Sequence, residues 1–267
     1  MNAQPSLPCF WRDPDLPFVE SRRAVSSRAC YRPHTHVTYS IGVVDAGRSV
    51  FTSHGHSVRL AAGSLVAVPA GCVHACNPEP GGEWSYQMLY LDASWVENTM
   101  QRNKAPAWPH CALVVRDARA YDAFCALNRL LFSKADTNVK TSALNRFLSQ
   151  GIWRTGDAVA LTPPPAPASF ARVQAMLQQR CADPLPLATL AQAARMTPHA
   201  LVRGFRAATG LTPHAYQLDM RINAARGLLR AGSAPAEVAQ ELGFYDQSHF
   251  QNAFKQRVAT TPGHYRR

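Results

Sequence analysis

Two groups of side chains in this sequence have the chemistry of a site. The first is His34, His36 and His74. Three imidazoles can hold zinc or iron, or they can line a pocket as hydrogen-bonding groups. The second group lies near the C-terminus. His199, Arg203 and Arg206, then Gln247, Ser248, His249, Gln251, Asn252 and Lys255, fall on the polar faces of two segments with helical spacing. Amides, hydroxyls, imidazoles and guanidiniums are the groups that read base edges and hold phosphates.

The C-terminal segments belong to a repeat. One copy runs Leu190-Ala191-Gln192-Ala193-Ala194-Arg195-Met196, then Leu201, Phe205, Gly210, Thr212-Pro213 and Tyr216. The other runs Val238-Ala239-Gln240-Glu241-Leu242-Gly243-Phe244, then Phe250, Phe254, Ala259, Thr261-Pro262 and Tyr265. Such self-similarity is one supersecondary unit used twice. Each copy predicts a helix-turn-helix. A small alanine (Ala191 or Ala239) lets the helices approach, and a tight turn follows at Arg195–Met196 or Gly243–Phe244. The second helix then buries Leu201 and Phe205, or Phe250 and Phe254. Thr197 and Asp246 are the expected N-caps. Thr212 to Arg230 predicts one joining helix, with Tyr216, Leu218, Ile222, Ala225 and Leu229 inward and Arg221, Arg226 and Arg230 outward.

The first half has a different texture. Tyr39–Val44, Ser49–Thr52, Ser57–Leu60, Ser64–Val68 and Tyr86–Leu91 alternate apolar and polar residues and predict strands. Gly42, Gly47, Gly55, Gly63, Pro69, Gly71 and the Pro78–Gly82 turn punctuate them. Short strands at this spacing suggest a barrel. His54 and His56 fall in a hairpin turn. Helical spacing follows in Asp117–Lys134, and again at Leu144, Phe147, Leu148, Ile152 and Trp153. Thr162-Pro-Pro-Pro-Ala-Pro-Ala-Ser169 favours an extended, semi-rigid connection.

The chain has 267 residues, 46% hydrophobic and 17% charged, which supports a packed core and excludes global disorder. Its net charge of +11 is uneven. Residues 169–267 hold 12 Lys and Arg against 5 Asp and Glu, while residues 1–168 hold 16 against 12. A polyanionic partner is therefore expected at the C-terminal part. Seven cysteines without a CxxC pair argue against a disulfide framework or a zinc cluster. Met1–Phe18 lacks a secretory pattern, and no apolar run approaches the roughly 18 residues of a membrane helix. A cytoplasmic location is expected.

Gly243-Phe-Tyr-Asp-Gln-Ser-His-Phe-Gln-Asn-Ala-Phe-Lys255, with Thr261-Pro262 and Tyr265-Arg266, resembles the signature of the AraC/XylS family of transcription regulators. The resemblance covers about Phe170 to Arg267. It implies a tandem unit that binds asymmetric double-stranded DNA sites with two recognition helices. By position it implies base contacts from His199, Val202 and Arg203, and from Gln247, Ser248, His249, Gln251 and Asn252. Arg206 and Lys255 join that surface. Two residues depart from the family pattern. Asn252 stands where arginine is frequent, and an amide suits adenine better than guanine. Ala259 stands where glycine is usual; if its backbone is left-handed, alanine costs about 1 kcal/mol.

Gly63-x5-Pro69-x-Gly71-x2-His74 resembles the second motif of the cupin barrel, and His34-Thr35-His36 the start of the first. In metal-holding cupins a glutamate completes the set, but Tyr39 and Ser40 occupy that region here. No metal or cofactor is assigned. The family resemblance implies a sensing barrel, lined by Tyr31, His34, His36, Tyr39, His74, Trp84, Tyr86 and Met88. Trp84–Asp92 and Cys76-Asn77-Pro78 resemble regulators encoded beside amino-acid exporters, which implies an amino acid as effector.

The expected fold is α+β. A cupin-like β-barrel with following helices takes residues 1–155, a Pro-rich linker 156–168, and an all-α tandem helix-turn-helix 169–267. The expected function is sequence-specific transcription regulation in response to a small-molecule effector, without enzymatic activity. Promoter DNA, RNA polymerase and a second copy of the chain, paired through the Asp117–Trp153 helices, are the implied partners, with no membrane. Two alternatives stand beside this: a metal-dependent cupin enzyme fused to a DNA-binding tail, and an effector-independent regulator.

Overall fold

The computed structural model describes residues 7–151 and 157–266. The front half is an antiparallel barrel. It comprises β1 (Cys9–Arg12), β2 (Val19–Ser27), β3 (Tyr39–Ser53), β4 (His56–Ala61), β5 (Leu65–Val68), β6 (His74–Pro78) and β7 (Trp84–Leu91). Helix α1 (Ala93–Arg102), β8 (Ala112–Arg116), helices α2 (Ala118–Leu131) and α3 (Thr137–Gln150), and β9 (Asp157–Leu161) follow. Among the described residues the strand order is β1-β2-β7-β3-β5-β8-β9, with β4 and β6 paired to β3.

Strand β3 organises this half. Two strands separated at Gly47 were expected, but one 15-residue strand forms. Gly47 sits at φ +79° beside a register shift between Val44 and Ala46. A Cβ there would stand 2.2 Å from the Glu83 carbonyl oxygen. The glycine therefore bends the strand instead of ending it. Tyr39–Gly47 pairs with β7, Arg48–Ser53 with β4, and Ser49–Ser53 with β6. Along β3, Ile41 and Val43 face a core shared with α1, α2 and α3, including Leu89, Phe124 and Phe147. Val44 and Phe51 face the barrel interior with Val66, Val68, Trp84 and Tyr86.

Several strands carry no clear alternation. In β2, Glu20 and Arg22 are only 2% and 3% exposed although both are charged. Strand β9 occupies residues assigned to the linker. It pairs with β8 from Ala112↔Leu161 to Arg116↔Asp157, so only residues 162–167 form the extended Pro-rich path. Helix α3 stops at Gln150 with Gly151 left-handed at φ +57°. Ile152 and Trp153, expected in that helix, lie outside the described residues.

The second half is helical: α4 (Ala168–Gln179), α5 (Leu187–Ala194), α6 (Pro198–Thr209), α7 (Pro213–Arg230), α8 (Pro235–Glu241), α9 (Gln247–Val258) and α10 (Pro262–Arg266). The repeat folds as α5–α6 and α8–α9, joined by α7. Each unit has its own core. Leu190, Ala191, Leu201, Phe205 and Tyr216 meet in one, and Val238, Ala239, Phe250, Phe254 and Tyr265 in the other. The expected caps form: the Thr197 hydroxyl accepts from the Ala200 N–H, and the Asp246 carboxylate from the His249 N–H. Arg195 and Gly243 make the two turns with left-handed backbones, at φ +55° and +67°. Ala259 caps α9 at φ +54°. Each core also takes a side chain from the barrel half, Val73 in the first unit and Phe10 against the second. Among the described residues no helix is long and apolar enough to cross a membrane.

Candidate functional site

The inner faces of β2, β3, β4, β5, β6 and β7 line a cavity of about 50 Å³. Tyr31, His34, His36, His74, Trp84, Tyr86 and Met88 line it, as the sequence suggested. Tyr39 does not. It shares strand parity with Ile41 and Val43, so it points to the helical side, where its ring lies 4.5 Å from Trp108 and its hydroxyl donates to Glu97. The barrel alone does not complete the wall. Arg226 of α7, with Arg257 and Val258 at the end of α9, also line the space.

The three histidines are buried, and their nearest ligand atoms lie within 4.8 Å of one another. His34 Nδ1 is 2.8 Å from the Arg32 carbonyl, and His74 Nδ1 is 2.9 Å from the Cys72 carbonyl. A carbonyl only accepts, so both rings donate from Nδ1 and keep a lone pair on Nε2. His36 has the opposite arrangement. Its Nδ1 is 2.8 Å from the Arg226 guanidinium, which only donates, so the ring proton sits on Nε2. Burial holds all three imidazoles neutral. It pushes His74 down to about 4, and neighbouring histidines lower His34 and His36 further.

This set does not fit a divalent cation. His34 and His74 have the orientation of metal ligands. His36 offers a proton instead of a lone pair. Arg22 lines the space without an acidic partner among the described residues, while Arg226 and Arg257 are paired with Glu20 and Asp219. No Asp or Glu is among the described lining residues. Ring faces provide the rest: Trp84 stacks on Tyr86 at 4.1 Å, and the Tyr86 hydroxyl bonds that of Tyr31. Burial raises both phenols, so they stay protonated.

The second set of expected residues lies on the helical half. His199, Arg203 and Arg206 of α6 are exposed and Val202 is half-buried. Gln247, Ser248, His249, Asn252 and Lys255 of α9 are exposed and Gln251 is half-buried. Each helix thus presents a polar face opposite its buried phenylalanines. Tyr245, 93% exposed beside the α9 N-terminus, adds an aromatic ring that the sequence reading passed over. The α6 face has a neighbour. Its groove, lined by His199, Arg203 and Arg206, has His54 and Gly55 of the β3–β4 hairpin in its other wall. His54 is half-buried there, while Gly55 and His56 are exposed.

Between cavity and helices lies a buried polar seam. Glu20 accepts from Arg12 at 2.8 Å and from the Tyr265 hydroxyl at 3.0 Å, and pairs with Arg226 at 3.3 Å. Arg226, expected outward, is only 12% exposed because the barrel covers that side of α7. Asp219 accepts from the Thr35 backbone N–H at 2.8 Å and its hydroxyl at 2.7 Å, with Arg257 at 3.6 Å. Asn223 donates to the Thr35 hydroxyl, and Arg22 donates to the Val258 carbonyl at 2.8 Å. The available signal was the polar stripe Asp219, Asn223, Arg226 and Arg230, which recurs at helical spacing on α7.

Comparison with known proteins matches both halves. The model of an AraC-like ligand binding domain matches residues 23–154, and that of a helix-turn-helix domain residues 190–267. The chain is 24% identical to the HTH-type transcriptional regulator YbfI of Bacillus subtilis (strain 168), over 89% of this chain and 87% of that protein. It is 24% identical to the arabinose operon regulatory protein of Escherichia coli (strain K12), over 88% and 82%. The fold is that of ToxT from Vibrio cholerae strain SCE256. An apo form gives a TM-score of 0.61 at 13% identity, over 93% of this chain and 96% of that one. A form with a bound unsaturated fatty acid gives 0.59 at 12%, over 99% and 96%. With a ligand-binding domain and a helix-turn-helix domain matched in this order, the chain belongs to the AraC family of DNA-binding transcription regulators.

Proposed function

We propose that a small molecule bound inside the barrel switches this regulator, which reads promoter DNA with the exposed faces of α6 and α9. The observation that carries this is the cavity wall, where Arg226, Arg257 and Val258 of the helical half close a pocket otherwise built by the barrel. A ligand there touches both halves. It therefore binds one arrangement of them better than another, which is the condition for switching. His34, His36, His74, Trp84 and Tyr86 form the effector pocket. Bases are met by His199, Val202 and Arg203 in one unit and by Gln247, Ser248, His249, Gln251 and Asn252 in the other. Arg206 and Lys255 hold phosphates. The β3–β4 hairpin beside α6 links domain movement to access at that face.

The sensing unit runs to β9 and the DNA-reading unit starts at α4, with residues 162–167 between them. The activity is binding without catalysis, in the cytoplasm. RNA polymerase is the protein partner on promoter DNA, and a homodimer pairs through α2 and α3. The fatty acid named for ToxT shows that one protein of this fold accepts a small organic ligand.

The test is selection of DNA from a random pool by the full-length protein, with and without a metabolite extract. Two short boxes about one helical turn apart, with binding altered by the extract, are expected. Absence of any enriched sequence overturns the reading. Enrichment indifferent to every extract would favour the effector-independent alternative.

A further inference from the structure

We propose that the cavity is a receptor for a small monocarboxylate with an apolar or aromatic body, and that Arg22 holds its carboxylate. This deepens, and rests on, the effector reading above.

Arg22 lines the cavity and is 3% exposed. Among the described residues it makes no ion pair with an acid. Its Nη1 donates to the Val258 carbonyl, and its Nε–H has no acceptor. The rings of Phe10, Tyr31 and Tyr86, with centroids 5.4, 5.7 and 5.6 Å from the guanidinium carbon, give it only partial compensation. Trp84 is a second lining residue whose buried N–H lacks an acceptor. Buried donors are ordinarily satisfied, and a charged one all the more. Here two of them, one cationic, line the same cavity. His36 adds a third N–H from Nε2, as its bond to Arg226 dictates.

A carboxylate answers the unpartnered Arg22 guanidinium directly. It supplies the missing charge and several acceptor sites, in a geometry that a guanidinium fork matches. Phe51, Val44, Val66, Val68 and Met88 provide an apolar chamber for the rest of the molecule. An amino acid, the effector implied by sequence resemblance, would bring an ammonium group into a space with no lining carboxylate among the described residues. Glu20 and Asp219 are already held by Arg226 and Arg257, and Arg22 has no acidic partner there. The chemistry therefore selects a simple organic acid. The same guanidinium also holds the carbonyl of the last residue of α9, so occupancy of Arg22 by an anion bears directly on the position of a DNA-reading helix.

The test is calorimetric titration of the full-length protein at pH 7 with benzoate and octanoate, each against its neutral amide. An aromatic or an aliphatic acid should bind at least about tenfold tighter than its amide, as a charge-assisted hydrogen bond implies. Arg22→Gln should bring the acid-to-amide ratio near one. Arg22→Lys, which keeps the charge but loses the fork, should retain part of the preference. Equal binding of acids and amides, or a preference that survives Arg22→Gln, overturns the carboxylate assignment and leaves the effector reading standing. If neither acids nor amides bind a protein that still binds DNA, this inference is overturned, while the effector reading stands or falls with the response of DNA selection to the metabolite extract.

Discussion

Glu20 of the barrel strand β2 and Arg226 of the interdomain helix α7 form an ion pair at 3.3 Å, with side chains 2% and 12% exposed. Two charges so far from water hold together only because further donors complete the carboxylate. Arg12 and Tyr265 do this here, and both halves of the chain contribute. The pair is the centre of the seam that seats the DNA-reading helices on the barrel.

Removing one partner should therefore be costly. Glu20→Ala leaves Arg226 buried without its counter-charge, and a loss of about 3–5 kcal/mol is expected in denaturant unfolding. Replacing both residues with methionine should cost less than the single change. If Glu20→Ala shifts stability by less than about 1 kcal/mol, the seam is not holding the halves together.

The two seam carboxylates should respond to pH with opposite signs. Burial alone would raise Glu20, but Arg226 and Arg12 outweigh it and hold the group below 4.5. Its contribution is present above that value and is lost as pH falls. Burial raises Asp219 from 3.8 to about 6, against the Thr35 hydrogen bonds and the Arg257 charge. The fold then binds the proton more tightly than the unfolded chain does, so stability from this group declines as pH rises between those values. Melting curves across this range should show the decline abolished in Asp219→Asn, while Glu20→Gln flattens only the acid limb. An Asp219→Asn curve parallel to wild type between 3.8 and about 6 would contradict the assignment.

On the DNA side, Arg203→Ala and Asn252→Ala should each weaken binding to the selected site by about 1–3 kcal/mol. Both side chains are exposed, so melting temperatures should stay unchanged. Lys255→Ala should instead weaken all sequences alike and reduce the salt dependence of binding. Operator affinity unchanged in both Arg203→Ala and Asn252→Ala would mean that DNA meets other faces of these helices.

Helix α9 offers a stability test at each end. Asp246→Ala removes the side-chain acceptor for the His249 N–H and should cost about 1 kcal/mol. Ala259→Gly should do the reverse, since the position is left-handed at φ +54°, and a gain of up to about 1 kcal/mol is expected. A loss on Ala259→Gly would show that the alanine methyl packs more favourably than its backbone strain costs.

The helical half was legible because its signals are local and repeated. Thr197 and Asp246 announced caps, and the matching phenylalanines and tyrosines announced two equivalent cores. The barrel was legible only where strands alternate. Strand β2 escaped because Glu20 and Arg22 look like surface residues until the other half covers them, a long-range event with no local trace. Gly47 was misread as a strand end because a bulge and a turn demand the same backbone freedom. Among the cavity residues, the histidines and aromatics were found by type, while Tyr39 was misplaced by one step of strand parity. Arg226 was sent outward by an apolar count on α7 that ignored its polar stripe.

The cavity wall contributed by α7 and α9 limits how modular such a chain can be. On the proposed reading, part of the receptor's selectivity would be written in the segment that also meets DNA, at Arg226, Arg257 and Val258, which line the cavity. A chimera joining this barrel to the helical half of a relative would inherit a different lid, and with it a different ligand spectrum. Conversely, on that reading a substitution on the cavity side of α7 would retune effector choice without touching either the barrel or a base-reading side chain. Divergence of such regulators toward new inducers thus has a route that runs through the half named for DNA.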